Sequence, residues 1–106
     1  MVVLYYKDYK LGILTRENGE YIYNSSLEEK EALSKFSGLI LYNLANSKNL
    51  KSKEIFPFFK TEFLDKVKVR NDILNKIGEN SQNDYEILEK LCKLNFDKFN
   101  FWLSNI

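Results

Sequence analysis

The chain contains no histidine. That absence removes the side chain most used as a general base near neutral pH, the usual nitrogen ligand of zinc, and the partner of a Ser-His pair. Its one cysteine, Cys92, excludes an internal disulfide and fits a reducing compartment. Set in a helical apolar pattern with no histidine to activate it, Cys92 reads as a structural thiol rather than a nucleophile. Four glycines stand apart at positions 12, 19, 38 and 78, so neither a phosphate-cradling loop nor a dinucleotide fingerprint is present. Lys and Arg number 16 against 15 Asp and Glu, a formal net charge of +1, and no overall field draws the chain to nucleic acid or to an anionic membrane. The uncharged stretch from Phe36 to Ala45 is far short of the ~20 apolar residues of a membrane span. Met1 to Asp8 carries no basic leader and no small-residue cleavage site, so a cytoplasmic location is expected.

Carboxylates do occur in pairs, at Glu28-Glu29 and at Asp84 with Glu86. Both pairs fall at predicted helix N-termini, where the helix dipole favours negative charge, and a structural reading outweighs a catalytic one. No active site, cofactor or metal is expected.

What the chain does have is packing material. Aromatic residues make up 15%, with seven Tyr and eight Phe, and residues 1–106 read as a single domain able to bury one real core. Val2 to Tyr6 is β-branched and aromatic, and Leu11 to Arg16 follows after a tight connection through Lys7 to Lys10. Asn18-Gly19 supplies the two positive-φ residues of a type I′ turn, and Tyr21-Ile22-Tyr23 then alternates, with both tyrosines on one face. A three-stranded meander results.

Ser26-Leu27-Glu28-Glu29 has capping-box spacing and predicts a helix to about Phe36, ended by Ser37 and a left-handed Gly38. Leu39 to Leu44 is expected as a strand, and Ala45 to Ser52 as a polar loop. Ser52 is expected to cap a helix starting near Lys53, so that Pro57 falls near its first turn. Ile55, Phe59, Phe63 and Val67 then recur at i+4 with Phe56 and Leu64 beside them. A further helix is predicted from Lys68 to Ile77 with Gly78 as its stop, and another from Asp84 to Leu94 with an Asn or Ser cap. From Lys98 the tail alternates Phe99, Phe101 and Leu103 against Asn100 and Trp102, a strand that joins the N-terminal sheet. The class is α+β: a small antiparallel sheet, made of the N-terminal meander and a C-terminal strand, packed against three to four helices.

Two surface features compete for a binding role. Lys48, Lys51 and Lys53, with Tyr42 and Phe56 nearby, have the ingredients of a nucleic-acid patch, but acidic residues follow closely and arginine is scarce, so a solvated loop is the better reading. Trp102 points away from its inward neighbours and is a candidate interface anchor.

Phe56-Pro57-Phe58-Phe59, then Val69-Arg70-Asn71-Asp72-Ile73, then Asn83-Asp84-Tyr85-Glu86-Ile87-Leu88 together resemble the N-terminal subdomain of HipA-type serine/threonine kinase toxins. Leu11-Gly12-Ile13-Leu14-Thr15 with Asn18-Gly19 and Tyr21 to Tyr23 is similar to the first hairpin of that subdomain. The resemblance covers nearly the whole chain. It implies a subdomain without the kinase body, a non-catalytic partner that binds a HipA-like kinase in trans and neutralises or completes it. A DNA-binding antitoxin is implied only through that complex, with no direct contact to nucleic acid or membrane. The loop that faces the kinase in the family matches Glu62 to Val67 here, without its Pro and Gly. The resemblance thus makes Leu64, Asp65, Lys66, Val67, Lys68 and Arg70 interface candidates, beside Trp102 from the alternation of the tail. The alternative is a free-standing protein-protein interaction module with an unrelated partner.

Overall fold

The computed structural model describes residues 1–68, 83–93 and 100–105. Its strands are β1 (Val2–Tyr6), β2 (Tyr9–Glu17), β3 (Glu20–Ser25), β4 (Leu50–Ser52) and β5 (Phe101–Ser104). They form one antiparallel sheet in the order β4-β3-β2-β1-β5. The helices are α1 (Glu28–Lys35) and α2 (Pro57–Phe59), which runs on through a π-helical turn (Lys60–Leu64) into α3 (Asp65–Lys68), and then α4 (Asp84–Leu91). The α+β class expected from the sequence is the class observed.

The meander follows from its turn chemistry. Asn18 at φ 51° and Gly19 at φ 79° close β2 onto β3 with Glu17 opposite Glu20, and this two-residue turn sets the register of every pair behind it. Between β1 and β2 the register passes from Leu4 opposite Gly12 to Tyr5 opposite Lys10, leaving Leu11 as the extra residue of a bulge. Leu11 is fully buried in the core with Leu4 and Leu14. Tyr21 and Tyr23 both face inward, as the alternation requires. Tyr23 lies across Gly12, where an added Cβ would strike the tyrosine ring and hydroxyl and come within 2.7 Å of the Asn24 carbonyl oxygen.

The C-terminal strand returns to β1, pairing Leu4 with Leu103 and Tyr6 with Phe101. Phe101 meets the Phe58 ring edge-on at 4.9 Å, and Tyr23 meets Phe59 at 5.9 Å, so the helix sits on the inner face of the sheet. Phe58, Phe59 and Phe63 are each at most 1% exposed. Each such burial is worth about 1.5–3 kcal/mol, which makes these rings the main attachment of helix to sheet.

Five local expectations are corrected. Ser26 and Glu29 do not form a capping box: the Ser26 hydroxyl donates to the Lys10 carbonyl, and the Glu29 carboxylate accepts from the Asn46 N–H, so tertiary partners have taken both groups. Gly38 is not left-handed; the helix ends on an extended Phe36 instead. Residues 39–44 are a series of turns rather than a strand, with Leu39, Leu41 and Leu44 buried and Tyr42 at φ 51°. The helix expected from Lys53 begins at Pro57, because the residue before a proline is driven out of the α region and Phe56 is extended at ψ 140°. Ser52 closes the short strand β4, where a polar loop was expected, and its hydroxyl accepts from the Glu54 N–H at 3.2 Å. Of the helix expected over 68–77, Lys68 belongs to α3, and the rest, with the glycine stop at 78, lies outside the described residues.

Gly12→Ala is expected to destabilise the fold by about 2–4 kcal/mol, since the tyrosine ring and the β3 backbone both block the new methyl group. Gly38→Ala, with nothing near its Cβ position, should stay within about 1 kcal/mol of the parent. Urea unfolding of the two variants side by side checks the contrast.

Candidate functional site

The seven interface candidates do not form one surface. Leu64 is 3% exposed and belongs to the core, so it is not a surface residue, and the chain from Leu64 to Lys68 is helix where a solvent-facing turn was expected. The cause is the π-helical turn: the Asp65 N–H donates to the Lys60 carbonyl five residues back, and the widened turn lets Phe63 and Leu64 both face the core. Asp65 and Lys66 are exposed, and Lys66 pairs with Glu62 at 3.1 Å one turn earlier. Val67 and Lys68 continue α3, and Arg70 lies outside the described residues.

Trp102 occupies the opposite face of the sheet from the helix, as its alternation with Phe101 and Leu103 demands. It is not a bare anchor. Its ring stacks on cross-strand Tyr5 at 4.2 Å with an interplanar angle of 10°, and its indole N–H donates to the Lys7 carbonyl at 2.8 Å. Such a stacked pair contributes about 0.5–1.5 kcal/mol beyond its area, which ties β5 to β1 on the outer face.

A buried polar bracket holds the segment after α1. Glu29 is 1% exposed and its carboxylate takes the Asn46 N–H; the Ser25 hydroxyl donates to the Leu44 carbonyl at 2.9 Å and accepts the Ser47 N–H at 2.9 Å. The Asn24 side chain accepts from the Asn49 N–H at 2.7 Å. Burial first, and then the Glu29 charge, push the Tyr23 hydroxyl above its ordinary range, so the phenol stays protonated. These groups fasten a loop to the sheet, and no cluster of three or more metal-ligating side chains occurs among the described residues.

The fastened loop shapes one wall of a groove. Tyr42, Leu44, Leu50, Phe56, Pro57 and Phe58 contribute to a cavity of about 540 Å³ beside β4, an edge strand of the sheet. Tyr42 is 53% exposed and leans edge-on against Phe58 at 5.7 Å. Its left-handed backbone costs roughly 1–2 kcal/mol in a residue with a Cβ, so the surrounding turns hold a large aromatic at the surface against its local preference. Lys48, Lys51 and Lys53 are all exposed and follow the same edge. Sequence reading assembled these lysines with Tyr42 and Phe56 but not the cavity, which depends on β4 and on where Pro57 starts its helix.

Comparison of the chain with protein-family models, with curated proteins and with solved structures finds no match.

Cys92 sits at the end of α4, half-buried, its thiol donating to the Leu88 carbonyl at 3.3 Å. Burial, with the Glu89 charge second, raises the thiol from an ordinary 9.0 to about 11. The thiolate fraction at pH 8 is therefore about a hundredfold below that of a free thiol, and iodoacetamide should label the folded protein far more slowly than the urea-unfolded one. Since the fold favours the protonated thiol, its contribution to stability is complete below about pH 9 and is lost as pH rises towards 11. Cys92→Ala should flatten that part of a stability-against-pH curve.

Proposed function

We propose that the chain is a non-catalytic subunit of a bacterial toxin-antitoxin system, binding a HipA-like serine/threonine kinase in trans and neutralising or completing it. The observation that carries the reading is the ordered set of motifs from Leu11-Gly12-Ile13-Leu14-Thr15, through Phe56-Pro57-Phe58-Phe59, to Asn83-Asp84-Tyr85-Glu86-Ile87-Leu88. These motifs meet in one packing unit. The first is the strand crossed by Tyr23, the second opens the helix that Tyr23 touches through Phe59, and in the third Leu88 is buried in the same core. Asn83 caps that last helix by accepting the Glu86 N–H at 2.9 Å. A hairpin, a docked helix and a capped helix sharing one core suit a subunit that presents a surface rather than a reaction.

In this reading the protein works in the cytoplasm and carries out no catalysis. It reaches a DNA-binding antitoxin only through the kinase complex, and contacts neither nucleic acid nor membrane itself. A second reading, an interaction module with an unrelated partner, is favoured by the groove beside β4.

Co-expression with a HipA-like kinase should give a complex that survives purification and should relieve the growth arrest caused by the kinase. Absence of any complex would sink the kinase reading. Replacing Asp65, Lys66 and Lys68 together with Ala is expected to weaken the complex at least about tenfold, read by titration calorimetry, and unchanged affinity would remove α3 from the interface.

A further inference from the structure

We infer that the β4 edge and the groove beside it form a binding site for an extended acidic segment of another protein, which adds to the sheet as a sixth strand and seats an apolar side chain against Tyr42 and Pro57. Strand register carries the first part. The two-residue turn makes Glu17 and Glu20 its hydrogen-bonded closing pair, so along β3 the backbone groups of Ile22 face β2 and those of Tyr21 and Tyr23 face β4. Tyr21 and Tyr23 accordingly bond Ser52 and Leu50, and the N–H and C=O of Lys51 point away from the sheet. An edge donor and acceptor of this kind is what an incoming extended backbone pairs with.

The groove supplies side-chain recognition. Leu50 and Ser52 face the helix side of the sheet, and with Tyr42, Phe56, Pro57 and Phe58 they line a cavity with room for apolar side chains. Residues of an added strand alternate in direction, so those on this side enter the cavity. Charge supplies the sign. Lys48, Lys51 and Lys53 are exposed and, among the described residues, form no ion pair; Glu54 and Glu20, which the register brings opposite Lys53, leave the three cations in excess along this edge. Carboxylates on the incoming segment would meet these three cations. A second copy of the chain is the poorer occupant, since pairing β4 with itself brings Lys51 towards Lys51. Nucleic acid fits the charge but makes no use of an edge N–H and C=O. The inference stands on β4 and the groove, whichever protein supplies the segment.

The test uses the full chain and a fluorescein-labelled peptide of about seven residues, Glu-Phe-Glu-Val-Glu-Leu-Asp, with a counterpart in which every acid is lysine. Saturable binding of the acidic peptide alone is expected, weakening severalfold between about 50 and about 300 mM salt, with amide shifts centred on Lys51 and Tyr42. Lys51→Glu should reduce affinity at least about tenfold. Tyr42→Asn should do the same while keeping the unfolding midpoint, because asparagine suits the left-handed backbone. Equal binding of both peptides, or shifts centred elsewhere, would overturn the proposal. So would concentration-dependent dimerisation through β4, or an oligothymidylate that binds this face when the acidic peptide does not.

Discussion

The hydroxyl end of Tyr23 rests against a backbone that has no side chain to push it away. Because residue 12 is glycine, the tyrosine ring reaches over β2, and its edge becomes the platform on which Phe59 rests. The rest of the fold is arranged about that close approach. The bulge beside Gly12 turns Leu11 inward, the ring holds Phe59 and through it Phe58 and Phe63, and Phe58 in turn receives Phe101 from the returning strand. One missing methyl group on the sheet thus sets the height at which the helix sits above it. Interiors this closely packed have little slack to absorb a change in that height.

Much of this was legible in the sequence where local chemistry and tertiary need agree. Asn18-Gly19 specifies its turn whatever surrounds it, the alternation at Tyr21 and Tyr23 matches the buried face, and Asn83 caps the helix that follows it. The return of Phe101 and Leu103 to the N-terminal strands was readable from period-2 alternation. Legibility failed where a residue with a local use was recruited elsewhere. Ser26 and Glu29 have capping-box spacing, yet one bonds across to Lys10 and the other is buried beneath Asn46. The apolar residues Leu39, Leu41 and Leu44 mimic part of a strand, but they are three inward points on a path of turns, fixed by Ser25 and Glu29 from outside the segment. The three-residue strand β4 has no periodicity of its own to read and exists because β3 offers it an edge. For the candidate site, the lysines and Tyr42 were visible as a group. Their joint geometry was not, because the wall opposite them is built by the proline-started helix.

The two faces of the sheet are built on different principles. The inner face is held by apolar area, with phenylalanines from one short helical stretch filling the space above the strands. The outer face at β1 and β5 is held by a stacked aromatic pair whose polar tip is satisfied by a backbone carbonyl. That difference bears on which parts of the molecule are open to contact. Rings close the middle of the inner face, whereas its margin beside β4, the sheet edges and the loop fastened by Glu29 can meet a partner without disturbing the core.

The pairing of β1 with β5 also fixes an order of events in time. Val3 finds its partner Ser104 only after the intervening chain has been made. At about 5–20 residues per second of synthesis, that delay is on the order of ten seconds. The β1–β2–β3 meander is local and closes within microseconds once its residues are free. Through the remaining seconds β1 is the growing chain's open edge, with Tyr5 lacking the ring that later covers it. Trp102, stacked on Tyr5, is thus the piece that ends this interval, sealing the nascent sheet along its β1 edge.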